Sequence, residues 1–144
     1  MFRDLLFPAS PGARASLGLL TVRIVAGAAF MFHGGPKLSH PTDWMQSDLP
    51  GMIQAATVIA EFGGGALWVL GALTPFASLA IGCTMALQAS KHIGHGDAFS
   101  TIKSASQDSE KALLYLAVAV LLLMIGPGTF AADHYFFRKG KEEH

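Results

Sequence analysis

Charge is what this chain has least of. Lys+Arg and Asp+Glu number 10 each, together 14% of the residues, where an ordinary soluble domain carries roughly 25%. That shortage excludes a surface built mainly for water. The two signs cancel, which excludes both the basic face of a nucleic-acid-binding protein and a strongly acidic surface. Cysteine is almost absent: Cys83 stands alone in an apolar run, so there is no intramolecular disulfide, no CxxC pair and no cysteine cluster for a metal. A cofactor fingerprint and a dedicated soluble redox domain are also lacking. The 144 residues give one domain, 1–144, with no room for a second.

What remains is apolar. Hydrophobic residues make up 51% of the chain, and they gather in four stretches, about 16–34, 52–73, 76–93 and 110–130. Each is close to the roughly 20 residues that a bilayer core requires of a helix. The third is the most polar, because Gln88, Lys91 and His92 fall in its last turns. A soluble bundle would need a long polar stripe on every helix, and the run from Leu116 to Ile125 has none. Arg3 and Arg14 before an apolar run, with Ala26-Gly27-Ala28 inside it, resemble a signal peptide. Arg23 interrupts the core of that run, so the first helix reads as retained. The expected fold class is therefore all-α, an integral-membrane four-helix bundle that crosses a plasma membrane several times.

Lys and Arg at the ends of the spans set the expected orientation. Arg3 and Arg14 precede the first span, and Arg138, Lys139 and Lys141 follow the last, which places both termini in the cytoplasm. The uncharged connection around Thr74-Pro75-Phe76 makes the second and third spans antiparallel neighbours, and the two longer connections lie outside.

Two residues of opposite sign then stand out inside the apolar stretches. An ionised side chain at mid-bilayer is costly unless paired or facing a wet cavity, so it is a functional-site hypothesis by default. Arg23 is about seven residues into the first span and Glu61 about nine into the second from the other side, which at 1.5 Å per residue puts both near the midplane. Their pairing is the expectation. The bland version is an ion pair that fixes helix register; the functional version faces a cavity.

Helical spacing favours a cavity. Arg23, Ala26, Gly27, Phe30, His33, Gly34 and Lys37 form one stripe on the first helix, although Gly34-Gly35-Pro36 should break that helix before Lys37. Gln88, Lys91, His92 and His95 repeat the spacing at the outer end of the third. Asp108 and Glu110 open the fourth, suited to the positive end of a helix dipole, and Tyr115 lies about one turn further in. The candidate ligand-binding residues are thus Arg23, His33, Lys37, Glu61, His92, Glu110 and Tyr115. Ser78, Gly82, Ala86 and Ser90 form a small-residue stripe that would admit a neighbouring backbone. Trp44, Tyr135, Phe136 and Phe137 read as interfacial anchors. Six histidines invite a metal or haem, but without a His-x-x-x-His pair or an ordered carboxylate set the ligand spacing argues against either.

The stretches Arg23…Phe30-Met31-Phe32-His33-Gly34-Gly35-Pro36-Lys37, Glu61-Phe62-Gly63-Gly64-Gly65…Leu70-Gly71 and Glu110-Lys111-Ala112-Leu113-Leu114-Tyr115-Leu116…Gly126-Pro127-Gly128 resemble the DoxX family of small four-helix membrane proteins. The resemblance runs from about 17 to 128. It implies a bacterial or archaeal inner-membrane protein linked to redox systems; the related DoxD family supplies the membrane subunit of a thiosulfate:quinone oxidoreductase. By position, the family's polar signature would fall on Arg23, His33, Lys37, Glu61 and Glu110. The expected function is a small membrane component of a redox system that binds a quinone-like or other small polar-headed ligand near the outer leaflet. The alternatives are a non-catalytic assembly protein and a small-solute or proton carrier. Membrane lipid, a redox protein and a second copy of the chain are the partners such roles imply.

Overall fold

The computed structural model describes residues 11–44, 50–94 and 106–138, with side chains over 11–44, 50–90 and 110–136. Helix α1 (Ala13–Gly34) passes into a 3-10 turn, Gly35–Ser39. Next comes a rod made of α2 (Gly51–Val58), a π-helical turn (Ile59–Gly63) and α3 (Gly64–Leu70). Helices α4 (Thr74–Gly94) and α5 (Ser106–Ile125) follow, and then the short α6 (Ala132–Arg138). No strand occurs among the described residues. Two helical segments there, Ala13–Ser39 and Gly51–Leu70, are long and apolar enough to cross a membrane.

Polarity is arranged inside out. Ser16, Arg23, Gln54, Glu61, Thr74, Ser78 and Asp133 are buried, whereas Ile24, Val25, Phe32, Leu79, Leu87, Leu114, Val120 and Met124 are exposed. In water so much contiguous apolar surface would drive association; against lipid it is the stable arrangement.

Close packing depends on two glycines. A Cβ on Gly27 would lie 2.6 Å from the Gly65 carbonyl oxygen, and one on Gly65 would lie 2.6 Å from that of Gly27. The backbones of α1 and α3 therefore touch without side chains between them. Trp68 is fully buried below this contact, donating its indole N–H to Ser78 Oγ at 3.0 Å and meeting Phe30 edge-on at 5.7 Å. The small-residue stripe on α4 is divided between environments. Ser78 serves Trp68 and Gly82 faces Ala119 and Leu116 of α5, while Ala86 and Ser90 are exposed.

Helix α3 stops at Gly71, whose φ of 65° is left-handed. Gly71 N–H donates to Trp68 O and Ala72 N–H to Leu67 O, the paired bonds of a Schellman ending. The turn to α4 lies at 71–73, a few residues earlier than the sequence placed it. Leu73 takes a left-handed φ of 47°, and the Asp133 carboxylate receives the Leu73 and Thr74 amides at 2.7 and 2.8 Å. The start of α4 is thus capped from outside its own sequence neighbourhood.

Candidate functional site

The break after α1 is what builds the pocket. Gly35, Pro36 and Lys37 do not leave the helix axis; they tighten into the 3-10 turn, and Lys37 reaches back along the bundle to Glu61. Its ammonium lies 2.6 Å from Glu61 Oε2 and 4.1 Å from the centre of the Trp44 ring. Gln88 of α4 donates to the other carboxylate oxygen at 3.3 Å. Glu61 is only 2% exposed, and Lys37 keeps 21% of its side chain open, so the carboxylate forms the floor and the ammonium communicates with the surface.

Glu61 sits in the π-helical turn. An extra residue in a helical turn shifts the side chains around it out of the regular phase, and such turns are frequent at functional sites. Gly34 packs on this turn: a Cβ there would lie 2.8 Å from Phe62 N and 3.2 Å from Glu61 Cβ. Any side chain at residue 34 would push α1 away from the carboxylate.

A cavity of about 230 Å³ opens beside the pair, lined by Phe30, His33, Lys37, Glu61, Met85, Gln88, Lys111, Ala112 and Tyr115. Phe30 and Tyr115 meet edge-on at 4.7 Å and join α1 to α5 along its wall. His33 holds its Nδ1 2.9 Å from Ala29 O. A carbonyl only accepts, so Nδ1 is the donor and Nε2 is left for solvent or a ligand. The chemistry available is a buried carboxylate, a lysine ammonium, an amide, a phenol and an imidazole around one partly apolar hollow.

The structure brings His33, Lys37, Glu61 and Tyr115 together on this cavity. It removes Arg23 from it. Arg23 does not pair with Glu61; its Nε donates to Trp68 O at 2.9 Å, Nη1 to Pro127 O at 2.7 Å and Phe130 O at 3.0 Å, and Nη2 to Val69 O at 3.2 Å. The physical reason is reach. Arg23 extends toward the ends of α3 and α5, where backbone carbonyls in and just after the last turns and the negative helix poles receive a cation. Glu110 is also displaced: it is exposed and does not line the cavity, while its neighbour Lys111 does. The i, i+4 pair Lys111 and Tyr115 shares one face, and Glu110 shares the other with exposed Leu114. That phase was the signal for Lys111. Gln88 stood in the polar stripe of the third span but was not assigned to the site. The His92 and His95 expectations fall outside the described side chains. Among the described residues no group of three His, Cys, Asp or Glu is placed to hold a metal ion.

The family model described as DoxX matches residues 18–92, more than half of the 144. The chain belongs to the DoxX family. The match takes in His33, Lys37, Glu61, Met85 and Gln88 and stops before the α5 wall of the cavity. DoxX proteins are small membrane proteins often associated with redox systems, which agrees with the inside-out polarity. No curated protein and no solved structure matches the chain.

Proposed function

We propose that this DoxX-family protein is a four-span inner-membrane bundle, a single domain over 1–144, whose Glu61 cavity binds the head group of a quinone-like ligand as part of a redox system. The observation that carries this reading is the Lys37–Glu61–Gln88 cluster at the edge of a partly apolar hollow. An ion pair serving only to join helices has no need of a cavity beside it.

The size of the hollow limits the ligand. About 230 Å³ falls below the roughly 300–1,000 Å³ of drug-sized pockets, so it suits a single ring, with any isoprenoid tail lying between helices in lipid. Phe30, Met85 and the Tyr115 ring supply flat and adaptable apolar contact. Lys37, Gln88 and the Tyr115 hydroxyl supply donors for carbonyl oxygens, and Glu61 and His33 supply proton-accepting groups. A quinone head exchanges protons and electrons; the chain itself binds it, orients it and holds protons nearby. Electrons would come from a partner redox protein.

In the assembly reading, the buried charges only specify packing. Arg23 fits that description, since its donors all go to backbone carbonyls, but Glu61 and its cavity do not.

Titrating the purified protein in nanodiscs with decylubiquinone, followed by tryptophan emission, should show saturable binding, with Trp44 over Lys37 as the reporter. Glu61→Gln removes the charge that holds the Lys37 ammonium at the cavity; a hydrogen bond from that charged donor to a quinone carbonyl is worth about 1.5–3 kcal/mol, so the variant should weaken binding about 10- to 100-fold. An undiminished affinity in that variant would sink the proposal.

Both termini are proposed to be cytoplasmic, with the cavity toward the outer leaflet. In a Cys83→Ser background, membrane-impermeant reagents should label Ser47→Cys and Ser104→Cys in intact cells but not Lys141→Cys. A tail labelled from outside would reverse the orientation.

A further inference from the structure

The end of the molecule opposite the cavity carries a second, unrelated surface. Helix α6 and the turn before it are fastened to the bundle by five bonds: Arg23 to Pro127 O and Phe130 O, Thr129 N–H to Ser16 Oγ at 3.1 Å, and the two Asp133 carboxylate bonds to the start of α4. The Asp133 amide adds a sixth, donating to Gly71 O at 2.9 Å. The inward face of α6 is therefore polar and satisfied. Its outward side is aromatic: Phe130, Tyr135 and Phe136 are 52%, 60% and 74% exposed, and the last two stack edge-on at 5.6 Å.

The same end presents Leu70, Leu73 and Phe76. Leu73 holds a left-handed backbone, uncommon for a bulky residue, and still leaves its side chain 45% exposed. The Asp133 carboxylate holds this turn through the Leu73 amide, so α6 and the exposed leucine are fixed relative to one another. Further along α4, Leu79 and Leu87 are exposed as well, as residues that a membrane protein gives to lipid. Arg14, two residues before the Ser16 that holds Thr129, is exposed at this end, and in the sequence Arg138, Lys139 and Lys141 come next, ahead of Glu142 and Glu143.

We infer that α6 and its preceding turn form an in-plane anchor, seating Phe130, Tyr135 and Phe136 in the headgroup layer of an anionic phospholipid bilayer. Aromatic side chains settle at that depth because one part of the layer is apolar and the other wet, and an exposed cation at this end favours anionic lipid. Arg23 and Asp133 are then positioning residues that hold the anchor flat.

The test uses the full chain with Phe136→Cys in a Cys83→Ser background, spin-labelled and placed in nanodiscs of phosphatidylcholine with or without phosphatidylglycerol. The label should be shielded from an aqueous nickel chelate and accessible to oxygen at headgroup depth. Native mass spectrometry from the mixed discs should show phosphatidylglycerol retained over phosphatidylcholine by about fivefold or more, the share of the exposed Arg14 being about fivefold. Arg14→Gln should lower that ratio about fivefold. A label as open to the chelate as free spin label, or equal retention of both lipids, would overturn the inference. Shielding that rises with protein concentration in detergent would assign the surface to another protein copy instead, and would overturn it too. A chain that inserts normally while its label stays wet would leave the membrane assignment standing and remove only the anchor.

Discussion

Arg23→Leu should cause the largest loss of stability of any single substitution at the charged positions. Three backbone carbonyls, those of Val69, Pro127 and Phe130, would lose the donor that the structure gives them, and Asp133 would lose a nearby cation. Trp68 O alone keeps another partner, the Gly71 amide. Leaving a buried acceptor without its donor costs about 1–3 kcal/mol, and three are left here. Arg23→Lys should recover part of this, because an ammonium has the charge but cannot repeat the planar fork over four acceptors. Glu61→Leu should cost less, since the Lys37 ammonium it abandons is already partly open to the surface. Arg23 and Glu61 have separate partners, so the double variant should show the sum of the two single losses to within about 0.5 kcal/mol. Thermal unfolding in one detergent would measure all four variants, and a double variant more stable than Arg23→Leu would show coupling that the structure does not contain.

A single methyl group at Gly65 is expected to have the next largest effect. The Cβ of alanine would stand 2.6 Å from Gly27 O, 2.9 Å from Phe30 Cβ and 3.0 Å from Met31 N. Two of the three obstacles are backbone, so α1 must move. Overpacking of this kind costs about 1–3 kcal/mol. The displacement would also act at a distance, because α1 carries Phe30, His33 and, through the 3-10 turn, Lys37 to the cavity. Gly65→Ala should therefore lower the melting temperature and weaken ligand binding together. Gly63→Ala is the control: nothing lies within 4 Å of its added Cβ, and alanine favours helix over glycine by roughly 1 kcal/mol. Equal losses from the two variants would mean that the α1–α3 contact is not the constraint.

Much of the helical layout was legible because hydrophobic runs and glycine–proline breaks mark helices directly. The stripe from Phe30 to Lys37 and the placing of Tyr115 mark four of the cavity's residues in the sequence itself. Other features had no such mark. Backbone carbonyls carry no residue identity, so nothing in the sequence pointed Arg23 at Pro127 or Trp68, and opposite charge at equal depth suggested Glu61 instead. Lys37 was in doubt because proline usually ends a helix; here Pro36 opens a 3-10 turn that keeps the lysine over Glu61. Lys111 did carry a mark, its i, i+4 spacing to Tyr115, which Glu110 does not share. Asp133 lay beyond the last apolar span, where a short helix gives too few turns for a periodic signal.

The claim at the centre of this account is that the Glu61 cavity holds a ligand. A mass-spectrometric inventory of small molecules copurifying with the native chain, with Glu61→Gln and with Glu110→Gln as an exposed control, tests it most directly. A quinone-class compound is expected near stoichiometry with the native chain and with Glu110→Gln, and is expected to be lost from Glu61→Gln while the melting profile stays cooperative. The same quinone content in all three preparations, or none in the native one, would contradict it.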